Sequence, residues 1–318
     1  MATQTLTVGS VSAKPGEKAY GVNEFAVQGQ PYRLSMWVIN GAHEGPTMLV
    51  TAGVHAAEYA SIAAALDLGR TLDPASLAGR VIVVPVLNVA GFGVRSIYIS
   101  PLDGKNLNRV FPGDASGTAS EQVADWLFRN AIKQANHYID LHGGDLTEAL
   151  VPFTIVFKSG NAQVDNASLE MAKVFGINNL VRSETPGSAY AAATKAGVPS
   201  ILAEAGGQGI WPPEDVARLR DGVNRVMRHL KMLPGPAPEA GRYTVLDRFI
   251  WLRSEHDGFW YPGVAVGDAV KAGQSLGCVK DYEGRVLQAV TAPADGCVLF
   301  LVTSLAINNG DPFLAVGA

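Results

Sequence analysis

The residues best suited to chemistry in this chain are two histidines and two glutamates, each set just behind a short apolar run. Thr47-Met-Leu-Val-Thr-Ala52 leads into Gly53-Val-His55-Ala-Ala-Glu58. His137-Tyr-Ile-Asp-Leu141 leads into His142-Gly-Gly144, and Pro199-Ser-Ile-Leu-Ala203 leads into Glu204-Ala-Gly-Gly207. His55 and Glu58 are three residues apart, so at the start of a helix both side chains can face one point. With His142 they supply two imidazoles and one carboxylate, the donor set of a catalytic zinc whose fourth position is left to water. A lone His-x-x-Glu arises by chance in many chains. Its weight here comes from His142 behind a second aliphatic run and Glu204 behind a third.

Such residues act together only if the intervening elements bring the three run ends to one place. Open α/β sheets hold ligands at the carboxyl ends of their strands. Residues 47–52, 81–87, 137–141, 151–157 and 199–203 read as strands. Helices are expected over Glu58 to Arg70, behind the capping box Thr118-Ala-Ser-Glu121, over Ala167 to Phe175 and Ser188 to Ala196, and over Glu214 to Leu233. Alternating strands and helices imply an α/β fold around a mixed, largely parallel sheet. This pattern fills residues 1–233, the expected catalytic domain.

Pro234-Gly-Pro-Ala-Pro-Glu-Ala-Gly241 then reads as a linker, and residues 242–318 as a small all-β module with frequent glycines and no helical period. Within it, Val266 to Leu276 and Ala292 to Val298 resemble the biotinyl/lipoyl barrel-sandwich. A carrier of that kind needs a lysine at the hairpin tip, where this chain has Asp281-Tyr-Glu-Gly284. Lys280 lies nearby without the flanking pattern, so covalent cofactor attachment is not expected.

Composition narrows the function classes. With 47% hydrophobic and 17% charged residues the chain is globular rather than disordered. A net charge of −4, with no basic cluster, argues against a nucleic-acid partner. No apolar run approaches the roughly 20 residues that cross a bilayer, and Met1 to Ser10 lacks the basic and apolar regions of a signal peptide. Cys278 and Cys297 have neither metal-type spacing nor enough partners for a disulfide framework. A cytoplasmic protein acting on a small molecule is expected, with room for a homo-oligomer.

The four segments Gly53-Val-His55-Ala-Ala-Glu58, Asn106-Leu-Asn-Arg-Val-Phe-Pro-Gly113, Asp140-Leu-His142-Gly-Gly144 and Leu202-Ala-Glu204-Ala-Gly206 together resemble the succinylglutamate desuccinylase/aspartoacylase family. That family lies in the zinc carboxypeptidase-like superfamily. The second segment is the most specific, and the appended β-module is also a family trait. The resemblance implies one zinc per chain, held by His55, Glu58 and His142. It implies Glu204 as the general base that later protonates the leaving amine, and Arg95 as the group that polarises the scissile carbonyl. It implies Asn108 and Arg109 as the grip on a substrate carboxylate, a task suited to the two-pronged guanidinium. Two departures from the family pattern bear on pocket polarity. Ala56-Ala57 stand where many relatives carry a polar or acidic residue, and Asn106 replaces an aspartate.

The expected activity is therefore a zinc-dependent deacylase that cleaves the amide of an N-acyl amino acid or related N-acylated amine. A metallocarboxypeptidase for short peptides uses the same chemistry and is the alternative. A non-catalytic carrier built on the β-module is the third reading, opposed by the full set of ligands and Glu204. Asp140 shares a strand face with His142 and is expected to support it, and Tyr190 either closes over substrate or packs in the core. His256 is the one remaining histidine placed to reach the site mouth from the β-module.

Overall fold

The computed structural model describes residues 4–318. Its centre is a nine-stranded sheet. From one edge to the other the strands are Thr244–Leu246, Asn179–Ser183, Phe153–Phe157, Ser200–Glu204, His137–His142, His43–Thr51, Ala78–Val84, Gln30–Asn40 and Glu17–Val27. Five of the eight pairings are parallel and three antiparallel. The mixed, largely parallel sheet with flanking helices is thus observed as expected.

Layering follows from the two-residue alternation of strands. Along His43–Thr51, Leu49 enters one core, while Met48 and Val50 enter the other. Helices Tyr59–Thr71, Ala162–Phe175 and Pro213–His229 cover the second face through Ile62, Leu68, Met171, Phe175, Leu219 and Val226. Helices Ala119–Asn130 and Ala189–Lys195 cover the first through Val123, Leu127 and the alanines 189 and 191–193. Helix ends fall where capping chemistry puts them. The Glu121 carboxylate accepts from the Thr118 backbone N–H at 2.7 Å, and Gly176 ends its helix in the left-handed region at φ 99°.

The N-terminal part departs from the alternating pattern. Residues 17–40 form a long antiparallel hairpin, in register from Glu17 opposite Asn40 to Val27 opposite Gln30. Its two-residue turn has positive φ at both Gln28 (50°) and Gly29 (73°), the twist that lets two strands close tightly.

Residues 249–317 form two antiparallel sheets of five and four strands, the five including one strand from earlier in the chain. The sheets pack face to face, with Trp260 stacked on Phe313 at 4.5 Å within a core that includes Leu276, Val279 and Val298. This is the expected barrel-sandwich-like module. The two parts of the chain trade strands. Thr244–Leu246 adds in parallel to the edge of the nine-stranded sheet beside Asn179–Ser183. In return Glu148–Leu150, from between two strands of that sheet, pairs with Gly296–Val302 of the module. Phe153, Val181, Leu246 and Leu299 form a shared apolar cluster at the junction.

Candidate active site

Three neighbouring parallel strands, Ser200–Glu204, His137–His142 and His43–Thr51, end on the same edge of the sheet. Their register sets Glu204 beside His142 and Thr51 beside Asp140. Strand alternation then chooses the face. Ile139, Leu141, Ile201 and Ala203 point into one core, so Asp140, His142 and Glu204 fall on the opposite side. Past Thr51 the chain must turn sharply. Gly53, at φ +60°, has no room for a Cβ, which would lie 2.9 Å from the Val86 Cα. The turn delivers His55 and Glu58 to the mouth of the helix Tyr59–Thr71.

His55, Glu58 and His142 converge, each offering a donor atom within 4.8 Å of the others, and all three are buried. The Glu58 carboxylate lies between the two imidazoles, with Oε1 2.7 Å from His55 Nδ1 and Oε2 2.8 Å from His142 Nδ1. Gly143 donates its backbone N–H to Glu58 Oε2 at 3.2 Å. Both Nδ1 atoms thus face the Glu58 carboxylate, and each Nε2 has a side-chain oxygen close behind it. His55 Nε2 lies 3.1 Å from Asn106 Oδ1, and His142 Nε2 lies 3.2 Å from Asp140 Oδ2. Asp140 is itself fixed by a hydrogen bond from the Thr51 hydroxyl at 2.6 Å. Rear acceptors of this kind set the tautomer and ring orientation of a metal-binding histidine. Two imidazole nitrogens and a carboxylate suit zinc, so the residues present fit that ion.

The electrostatics follow from burial and proximity. Burial alone raises the Glu58 carboxyl, but His142 and His55 outweigh it and bring it down to about 2. Burial lowers the His142 imidazolium, but Glu58 and Asp140 more than reverse this and raise it well above the ordinary value. Glu204 is pushed well above the carboxylate range, by burial first and then by the charge of Glu58. Its Oε2 has no hydrogen-bond partner.

These groups line one end of a cavity of about 650 Å³. Arg109 and Tyr190 line it as well, as do Phe249, Trp251 and Phe300 from the module. Asn108 is spoken for by the fold: its Oδ1 accepts from the Ala189 N–H at 3.0 Å, and its Nδ2 lies 3.5 Å from His142 Nε2. Arg109 donates to the Asn108 carbonyl at 2.8 Å. Arg95 is not brought in. It caps the helix Val89–Val94 at φ 56° and is exposed, outside the cavity lining. His256 is also outside the lining.

Three carboxyl or amide groups gained a place that residue type did not reveal. Asn106 backs His55. Asp145 and Glu148 are both buried, and burial is the first cause that raises their carboxyls, to about 7 and about 8. Their only sequence signal was proximity to His142.

Fold and site together define a mixed α/β architecture with a His-Glu-His cluster and a further carboxyl at adjacent strand ends. Residues 44–230 match the succinylglutamate desuccinylase/aspartoacylase catalytic domain, and the chain belongs to that family. It is 32% identical, over 86% of its own length and 82% of the relative's, to N-alpha-acetyl-L-2,4-diaminobutyric acid deacetylase of Halomonas elongata. Among solved structures it superposes on the product-bound ectoine utilization protein EutE (DoeB) of Ruegeria pomeroyi with a TM-score of 0.87, at 25% identity, covering 100% of both chains. The fold is shared with a succinylglutamate desuccinylase/aspartoacylase of Rhodobacter sphaeroides, TM-score 0.86 at 24% identity, covering 97% of this chain and 98% of that one.

Proposed function

We propose that this protein is a zinc-dependent deacylase that hydrolyses the amide of an N-acyl amino acid. The observation that carries the reading is the juxtaposition at three adjacent strand ends: a His-Glu-His cluster with its donor atoms facing inward, and beside it a carboxylate with a free oxygen. The relative from Halomonas elongata, a deacetylase of an N-acetylated amino acid, supports the same reaction class.

His55, Glu58 and His142 would hold the zinc, which when bound supplies a Lewis acid and makes water nucleophilic near neutral pH. Glu204 Oε2 takes the proton from the attacking water and returns it to the amine nitrogen as the amide breaks. Burial and the charge of Glu58 push its carboxyl above the ordinary carboxylate range, the direction that helps it hold the proton between the two transfers. Arg109 pairs with the substrate carboxylate, leaving Asn108 to hold the loop and the edge of His142. Phe249, Trp251 and Phe300 wall the outer cavity with aromatic surface, which limits water access and the length of substrate. Arg95, exposed on the far side of its helix cap, would need a rearranged loop to reach the carbonyl.

The test is a hydrolysis screen of N-acetyl, N-succinyl and N-formyl amino acids beside short peptides, with zinc content measured on the same preparation. Release of carboxylic acid from an N-acyl amino acid, abolished by chelation and restored by zinc, is the expected result. Cleavage of peptides alone would replace the reading with a carboxypeptidase, and undiminished turnover without metal would remove zinc from it.

A further inference from the structure

We propose that the cavity beyond the reaction centre is a subsite for a bulky apolar group of the substrate. The protein would then prefer N-acyl amino acids that carry a long aliphatic or aromatic group over those with only an acetyl group and a small side chain. The inference rests on the deacylase reading and adds to it the character of the group held outside the scissile amide.

Strand register sets the floor of this subsite. Leu202 is two residues before Glu204 on Ser200–Glu204 and so shares its face of the sheet. Leu202 stands opposite Ile155, and Ile155 stands opposite Val181 on the next strand. All three line the cavity, so an apolar row runs from the strand that carries Glu204 towards the sheet edge. The residue opposite Glu204 itself is Phe153.

Phe153 begins a wall that crosses from the sheet into the β-module. Its ring centroid lies 5.5 Å from that of Phe249, Phe249 lies 4.9 Å from Trp251, and Trp251 lies 4.9 Å from Phe300. Phe153 and Phe300, at the two ends, are 4% and 5% exposed, whereas Trp251 is 43% exposed and lines the cavity. Open aromatic surface inside a concave site is suited to an apolar ligand. The cavity of about 650 Å³ falls in the range of roughly 300–1,000 Å³ that takes drug-sized molecules. An acetyl group on a small amine would occupy only the end beside His142. Arg182 and Arg253 line the cavity too, but both are exposed. Arg182 donates to Asp247 at 3.3 Å and Arg253 to the Gly310 carbonyl at 2.8 Å. An anionic group held there would compete with these partners and with solvent.

The experiment uses the zinc-loaded full chain with N-acetyl-, N-octanoyl- and N-succinyl-L-alanine. N-acetyl-L-phenylalanine is added to place the apolar group on the amino acid instead of the acyl side. The octanoyl substrate has about six more methylenes than the acetyl one, and each one buried favours binding by about fourfold. Covering half of them predicts a gain of roughly 50-fold or more in kcat/KM over N-acetyl-L-alanine. A gain of about tenfold or more with the phenylalanine substrate alone would support the subsite and assign it to the side chain. Trp251→Ser should cut the advantage of the favoured substrate at least about fivefold, chiefly through KM, while Trp251→Phe, which keeps an aromatic face, should retain most of it. Losses by the same factor on every substrate would make Trp251 a brace for the β-module and overturn the subsite. Calorimetry on the wild-type chain should show octanoate binding more tightly than acetate, with a negative heat-capacity change, a readout that needs neither turnover nor a folded variant. No gain with either bulky substrate, or a preference for N-succinyl-L-alanine, would overturn the subsite while leaving the deacylase intact. If no substrate were hydrolysed, the deacylase reading would fail, and octanoate binding no tighter than acetate would overturn the subsite as well.

Discussion

At the scale of single residues, the candidate site is built from pairs in which one group faces the reaction and another holds it from behind. Asn106 behind His55 and Asp140 behind His142 are the clearest cases. Removing the first should loosen the imidazole without removing a ligand. Asn106→Ala is therefore expected to weaken zinc binding by about 10- to 100-fold, read by competition with a chromophoric chelator, with the thermal unfolding profile of the fold preserved. His55→Ala or His142→Ala should abolish stoichiometric zinc outright. Stoichiometric zinc in either would show that the donor set is elsewhere. The convergence of His55, Glu58, His142 and Glu204 was legible in the sequence, because they lie behind apolar runs whose strand ends meet on one edge of the sheet. Asp145 and Glu148 were not legible. What marks them is burial with one carboxyl oxygen left unpartnered, and for Glu148 that burial depends on pairing with a strand from the far end of the chain. Arg95 shows the converse: its place in the sequence suggested the site, but a left-handed cap turns it to solvent.

At the scale of elements, the central strands declared themselves through unbroken apolar runs, since strands covered on both faces cannot alternate with polar residues. The hairpin of residues 17–40 did not, because its exposed face mixes the pattern and its turn is Gln28-Gly29 rather than the familiar Asn-Gly pair. One strand also carries a pH signature away from the His55–Glu58–His142 cluster. His137, at the start of His137–His142, has its pKa lowered from 6.5, by burial first and then by His229. Its Nδ1 is buried without a partner. The unfolded chain thus binds this proton more readily than the folded one, so stability falls as pH drops below about 6.5 towards the folded value. Above that pH the effect is absent. Urea midpoints for wild type should decline between pH 7 and 5 more steeply than those for His137→Gln, in which the titrating group is gone. Parallel curves would show that His137 is solvated in the folded state.

At the scale of the whole molecule, the exchange of Thr244–Leu246 for Glu148–Leu150 ties the module to the hydrolase sheet. Residues 234–241 read as a linker in the sequence, and they are largely exposed without regular structure. Local composition could not show that the chain beyond them returns to the sheet it has just left, because strand pairing between distant segments is a property of the assembled fold. A chain ending at Leu233 loses the strand beside Asn179–Ser183 and the partner of Glu148–Leu150, and it uncovers Phe153 and Val181. It should unfold at lower temperature than the full chain and tend to aggregate, because it exposes an unpaired sheet edge and apolar surface. The full chain should lose both parts in one transition by calorimetry. A truncated chain with unchanged melting temperature and unchanged preference between acyl-amino acids and peptides would show that the module neither braces nor shapes the cavity.

The central claim, that Glu204 moves the proton while His55, Glu58 and His142 hold the metal, is tested most directly by Glu204→Gln. The substitution keeps size and one acceptor oxygen and removes the basic carboxylate. Zinc content and hydrolysis of an N-acyl amino acid are measured on the same sample. The account predicts one zinc per chain, as in wild type, with turnover reduced by roughly 10²- to 10⁴-fold, the range for losing a general acid–base group. Loss of the zinc would make Glu204 a ligand, and near-normal turnover with zinc bound would contradict the mechanism.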